Sequence, residues 1–144
     1  MSFERIMAIG GSGLNAQLVR MNATASYLAN VGVVSGSAET AFRAQRPVFS
    51  ALLTGETAGG FKDLAGGVRV ARIVTDTKPI EQIYEPGNSL ANEDGYVFSS
   101  NVSEIEELLD MLDASRAYQN NVEVISTAKD LMIRTLEVLS LIHI

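Results

Sequence analysis

The sequence predicts an α+β chain: long N- and C-terminal helices pairing as an antiparallel coiled coil, with a small β-rich module inserted between them. Three observations carry this reading. Apolar residues recur at alternating steps of four and three at both ends of the chain. All three prolines lie between residues 37 and 100, with most of the glycines outside the N-terminal run. The same stretch holds short β-branched and aromatic runs separated by turn residues. The expected division is 1–35 for the N-terminal helix, 36–100 for the β-rich module and 101–144 for the C-terminal helix.

In the N-terminal segment the apolar series is Met7, Leu14, Leu18, Met21, Ala25 and Leu28, with Gly11 in its one gap. That spacing places one stripe along a single helix face. A helix from about Phe3 to Asn30 follows, loosened at Gly10–Gly13, where each glycine costs roughly 1 kcal/mol against alanine. Tyr27 falls off the stripe, on a face turned away from the partner helix. The helical pattern ends in Val31–Ser37.

The C-terminal series is Leu108, Met111, Ser115, Tyr118, Val122, Ile125, Lys129, Met132, Leu136 and Leu139. Lys129 marks a seam edge or sets register. Asn101 with Glu104, or Ser103 with Glu106, supplies a capping box. Glu104, Glu106, Glu107 and Asp110 occupy the first turns, where the helix dipole favours negative charge. No Gly or Pro interrupts the chain from Asn101 to Ile144. Such a helix runs about 55 Å or more at 1.5 Å per residue.

In the middle, Gly66–Val74 (GGVRVARIV) reads as a half-buried strand with Val68, Val70 and Val74 on one side. Ile80–Tyr84 and Tyr96–Phe98 are further short strands. Glu85–Asn88 and Asn92–Gly95 are turns with suitable residues. Thr54–Gly67 reads as a loop.

Composition excludes several functions. The net charge is −6 and the basic residues are scattered, which disfavours nucleic acid. There is no cysteine, so disulfides and thiolate metal sites are absent. No apolar run approaches the ~18 residues of a membrane span. The short apolar stretch Ile6–Ile9 lacks a basic flank and ends at two glycines, so it is no secretory signal; composition alone then places the chain in the cytoplasm. Gly11–Ala16 (GSGLNA) fits G-x-G-x-x-A, but the strand before it is poor and no acidic residue lies between Glu4 and Glu39 to hold a ribose. These glycines read instead as a flexible or closely packed point in a helix. The acidic cluster Glu104, Glu106, Glu107, Asp110 and Asp113 reads as a solvated helix start. His143, the only histidine, lies at the chain end with no second ligand at metal spacing. No Ser/His/Asp arrangement is available, and the four tyrosines are too dispersed to stack bases. The expectation is a protein that is not an enzyme and holds no cofactor or metal.

Ser12–Asn30 (SGLNAQLVRMNATASYLAN) resembles the N-terminal signature of bacterial flagellar rod, hook and hook-associated proteins. Phe42–Leu53 (FRAQRPVFSALL), Tyr84–Val102 (YEPGNSLANEDGYVFSSNV) and Ala114–Leu139 (ASRAYQNNVEVISTAKDLMIRTLEVL) are similar to the proximal-rod C type within that family. The matches are ordered and cover most of the chain; Thr54–Gly67 and Ser140–Ile144 lie outside them. Tyr27 departs from the pattern, which usually has Asn there, and Val31–Gly36 replaces a more polar stretch. The resemblance implies a structural subunit that polymerises through its terminal helices into the rod, the drive shaft that carries torque across the periplasm to the hook. It implies export through the flagellar type III apparatus without a cleaved signal, which replaces the cytoplasmic location. Implied partners are other copies of the chain and neighbouring rod and rod-base proteins, with no nucleic acid and no membrane insertion. The assembly interface is expected at Met7, Leu14, Leu18, Met21, Ala25, Tyr27, Leu28, Leu108, Met111, Tyr118, Val122, Ile125, Met132, Leu136 and Leu139. For want of an intrachain core large enough to cover them, residues up to about 30 and beyond about 103 are expected to be disordered in the dilute monomer. The alternative is a cytoplasmic coiled-coil adaptor or binding module.

Overall fold

The computed structural model describes residues 2–52 and 66–143. Helix α1 spans Phe3–Ala29 and helix α2 spans Glu104–Ile142. Between them lie five strands: β1 (Val34–Ser35), β2 (Gln45–Ala51), β3 (Val68–Thr75), β4 (Gln82–Tyr84) and β5 (Tyr96–Ser99). Both helices are within a residue or three of their expected bounds. Most of the expected Thr54–Gly67 loop lies outside the described residues. The sequence reading misses β1 and β2. β2 carries Pro47, which argues against a central strand, and it lies in a sheet of two strands, where an unpaired edge tolerates proline.

α1 starts because the Ser2 side-chain oxygen accepts the Arg5 N–H at 3.3 Å, while the Ser2 carbonyl accepts from Arg5 and Ile6. It ends in tight turns from Asn30 to Tyr27 and from Val31 to Leu28. The glycine run does not loosen it; the helix is continuous through Gly10–Gly13. α2 is 39 residues, about 58 Å. Its first turn closes when Glu107 N–H donates to the Ser103 carbonyl at 3.0 Å. Asn101 is no cap. Its side chain accepts from Ala44 N–H at 3.0 Å and donates to the Asp76 carbonyl at 3.2 Å, tying two connecting segments together.

The chain forms two compact units. The first comprises Met1–Leu18, Phe49–Ala71 and Ala114–Ile144. Here Gly10 of α1 lies against Ile125 of α2, and Gly13 against Asn121. Ser12 accepts the Val68 N–H at 3.1 Å, holding the start of β3 on the helix. The second comprises Val19–Val48 and Arg72–Asp113. Here Arg20 and Thr24 of α1 meet Asp110 of α2. In each unit, advancing along α1 means retreating along α2, so the helices pair antiparallel. The second unit also holds the antiparallel sheet β1-β5-β4, in which Ser35 faces Phe98 and Tyr84 faces Tyr96. Turns at Glu85–Asn88 and Asn92–Gly95 form as expected, with Gly95 at φ +83°. The buried cluster of this unit is Tyr27, Ala44 and Val102, with Ala23, Val31 and Phe42 against it.

The helices therefore do find an intrachain surface along much of their length. The premise behind the expected terminal disorder fails there. It keeps its force for the end of α2, where every described residue from Lys129 to His143 is exposed.

Candidate functional site

The functional surface follows from which side chains the helix pair hides. In the second unit, the residues of α1 that meet α2 or the core include Arg20, Thr24 and Tyr27, with Ala23 beside them. In the first, they include Gly10 and Gly13. This line runs one residue ahead of the expected series Met7, Gly11, Leu14, Leu18, Met21, Ala25, Leu28. On α2 the buried or half-buried residues are Glu107, Asp110, Met111, Ala114, Ser115, Ala117, Tyr118, Asn121, Ile125 and Ala128. They share Met111, Ser115, Tyr118 and Ile125 with the expected series. Glu107 stands in for the exposed Leu108, Asn121 for Val122 and Ala128 for Lys129, while the fully buried Ala114 joins Ser115.

The reason for the shift is chemical. The seam is built of small and polar residues, which hydropathy does not mark. Glycines let the helices approach: a Cβ on Gly10 would lie 2.7 Å from Ile125 Cγ1, and one on Gly13 3.0 Å from the Asn121 amide. Polar side chains pair across it. Arg20 forms an ion pair with Asp110 and reaches Asp113 at 3.3 Å. Thr24 Oγ1 donates to Asp110 at 3.3 Å. Burial by itself would raise the Asp110 carboxyl, but the hydrogen bonds and charge of Arg20, with Thr24, hold it below the usual range.

Glu107 is fully buried, and Arg46 of β2 answers it with two N–H donors at 2.5 and 3.3 Å. Arg46 also lies 3.4 Å from Asp76 and 5.7 Å from the centre of the Tyr27 ring. Its hydrogen bond to Glu107 raises the Arg46 pKa further. Tyr27 is only 5% exposed. Burial raises its hydroxyl pKa, against a backbone hydrogen bond from Gln45. The expectation that Tyr27 faces outward is thus corrected: it is core, its ring tilted against Phe42 at 6.3 Å. Arg46, Thr24 and Ala114 were missed, and Glu107, expected in a solvated helix start, is instead fully buried. Nothing in their local patterns marks them, since their roles depend on partners distant in sequence.

What remains outside is large and apolar. Leu18, Leu108, Val122, Met132, Leu136 and Leu139 are exposed, Leu136 by 55%. So are Ile105, Leu109, Leu112, Leu131 and Ile142, none of them in the expected set. Met7, Leu14, Met21, Leu28, Met111, Tyr118 and Ile125 are half-buried, and Ala25 is exposed. In the first unit, Phe3 and Ile6 with Val124, Leu131 and Met132 line an open groove of about 740 Å³.

The same geometry bears on the other chemical readings. The GSGLNA segment lies inside α1, its glycine amides committed to the helix and Gly13 against Asn121. Of the acidic cluster, Glu107 and Asp110 are taken by arginines and Glu106 by Lys78. Among the described residues no group of three or more His, Cys, Asp or Glu could hold a metal ion. No described helix is long and apolar enough to cross a membrane.

Residues 93–138 match the family described as flagellar basal body rod FlgEFG protein C-terminal. Over 136 residues the chain is 42% identical to flagellar basal-body rod protein FlgC of Yersinia enterocolitica, covering 94% of this chain and 97% of that one. Its counterpart in Salmonella typhimurium is 40% identical over the same shares. The FlgC of Bacillus subtilis is 28% identical over 141 residues, 90% of this chain and 93% of that one.

Proposed function

This chain belongs to the FlgC family of flagellar basal-body rod proteins, and on that premise we propose that its terminal helices polymerise it into the rod as part of the torque-carrying shaft. It is a structural, non-enzymatic subunit of the basal-body rod, and it assembles with other rod components. Family membership replaces the reading as a cytoplasmic adaptor. In the proposal, the contacts are made with other copies of this chain and with neighbouring rod and rod-base proteins. The rod crosses the periplasm, and the chain reaches it through the flagellar type III export apparatus without a cleaved signal.

One observation carries the mechanism. The chain hides glycine, alanine and paired charges between its helices and leaves leucine, isoleucine and methionine outside. A protein that ended its life as a monomer would gain by the reverse arrangement, since each buried methylene contributes about 0.8 kcal/mol. The outward set is therefore the proposed assembly face: Leu18, Leu108, Val122, Met132, Leu136 and Leu139, extended by Leu109, Leu112 and Leu131. The half-buried Met7, Leu14, Met21, Leu28, Met111, Tyr118 and Ile125 border it. Torque transmission then rests on many apolar contacts repeated around the shaft, with no single strong bond required.

Leu136→Asp tests this. Leu136 is exposed in the single chain, so the change leaves expression and secretion intact. In the assembled rod it loses an apolar contact and buries a carboxylate, together costing several kcal/mol. Motility is abolished while the protein is still exported. Normal swimming by cells carrying Leu136→Asp would exclude this face from assembly.

A further inference from the structure

Two rotations of α2 compete for the same partners. Turned by about half of the 100° step between neighbouring helical residues, α2 would bring the exposed Leu108 toward the seam in place of Glu107. Hydropathy favours that turn, because it buries a leucine and moves a carboxylate outward. The molecule adopts the other one.

In the second unit, polar contacts oppose that turn. Glu107 is fully buried, and both its oxygens are held by Arg46 at 2.5 and 3.3 Å. Arg46 stands on β2, not on either helix. It is itself fixed, 3.4 Å from Asp76 and against the Tyr27 ring. It therefore acts as an external reference for the angle of α2. One turn further along, Asp110 is bound by Arg20 and by Thr24 of α1. A roll of α2 would draw Glu107 off Arg46 while the carboxylate is still under cover. An unpaired buried charge is far more costly than the leucine contact is favourable.

We infer that Glu107 with Arg46, and Asp110 with Arg20, are positioning residues that fix the rotation of α2 and so keep the Ile105, Leu108, Leu109 and Leu112 stripe turned outward. Those four recur at i, i+3, i+4 and i+7, one contiguous face, and all are exposed. A single buried polar pair setting register at some cost in stability is the best-attested use of such groups. Here the quantity set is which face of the helix is offered to partners. The rotation stands by itself; only the use made of the outward stripe rests on the assembly reading.

The chain contains no cysteine, so single thiols report the rotation without background. Leu108→Cys and, as control, Leu112→Cys are placed in the wild-type chain and in the Arg46→Met/Glu107→Leu/Arg20→Met/Asp110→Leu chain. Maleimide labelling is followed on the isolated protein, with circular dichroism to report helix content. With the charges present, both thiols label at similar rates. With the charges removed, the helices persist, and Leu108→Cys slows by about tenfold or more while Leu112→Cys does not change. Unchanged labelling of Leu108→Cys in the charge-free chain overturns the inference. So does loss of helix in that chain, which would make the pairs plain stabilising contacts. Hook-bearing basal bodies are counted separately. Normal assembly by a chain with a protected Leu108→Cys would leave the rotation standing and exclude the stripe from the rod interface.

Discussion

Gly10 and Gly11 are neighbours in one helix, and the structure assigns them opposite fates on substitution. Each gains about 1 kcal/mol of helix propensity when replaced by alanine. At Gly11 nothing lies within 4 Å of the added methyl, so Gly11→Ala keeps that gain. At Gly10 the methyl would meet Ile125 Cγ1 at 2.7 Å and Cδ1 at 2.9 Å. Overpacking of this kind costs about 1–3 kcal/mol. Gly10→Ala is therefore neutral to about 2 kcal/mol destabilising, and the two variants differ by the overpacking cost alone. Urea unfolding of the purified chain separates them: Gly11→Ala raises the midpoint, by roughly 0.3–1 M for a typical slope, and Gly10→Ala does not. Removing the obstacle supplies the control. In an Ile125→Ala background, Gly10→Ala becomes stabilising, a coupling that distant sites would not show. If both alanines raise the midpoint equally in the wild-type chain, α1 and α2 do not meet at Gly10, and the seam derived above is wrong.

Other outcomes follow from the same contacts. Tyr27→Ala empties a buried site between Ala44 and Val102 and lowers stability by about 3–5 kcal/mol, whereas Tyr27→Phe keeps the ring and its packing and costs far less; thermal denaturation distinguishes them. The depressed Asp110 carboxyl contributes stability that is fully present above the ordinary value of 3.8 and is lost as pH falls from there through the lower folded value. Asp110→Asn consequently weakens the fold at neutral pH and flattens the acid limb of stability against pH below about 4. An unchanged acid limb would mean that Arg20 does not hold the carboxylate.

The sequence by itself determined the two helices, three of the five inserted strands and the family. Heptad spacing, an uninterrupted run after Asn101 and turn residues at Glu85–Asn88 and Asn92–Gly95 are local signals, and each acts through the backbone of its own segment. They placed α1 and α2 nearly to the residue. The rod signatures are likewise carried by local strings. Only the tertiary structure decided which face of each helix is hidden. Hydropathy ranks Leu108 above Glu107 and Leu28 above Tyr27, and for a chain burying all it can, that ranking would hold. Here glycine permits close approach at Ile125, and Arg46, sixty-one residues from Glu107, neutralises a carboxylate that no local pattern could pair. The free energy of a buried charge depends on whether its partner arrives, and that partner comes from a strand the sequence did not reveal. The rotation of α2 is therefore a property of the folded whole, and with it the choice of the side chains left exposed.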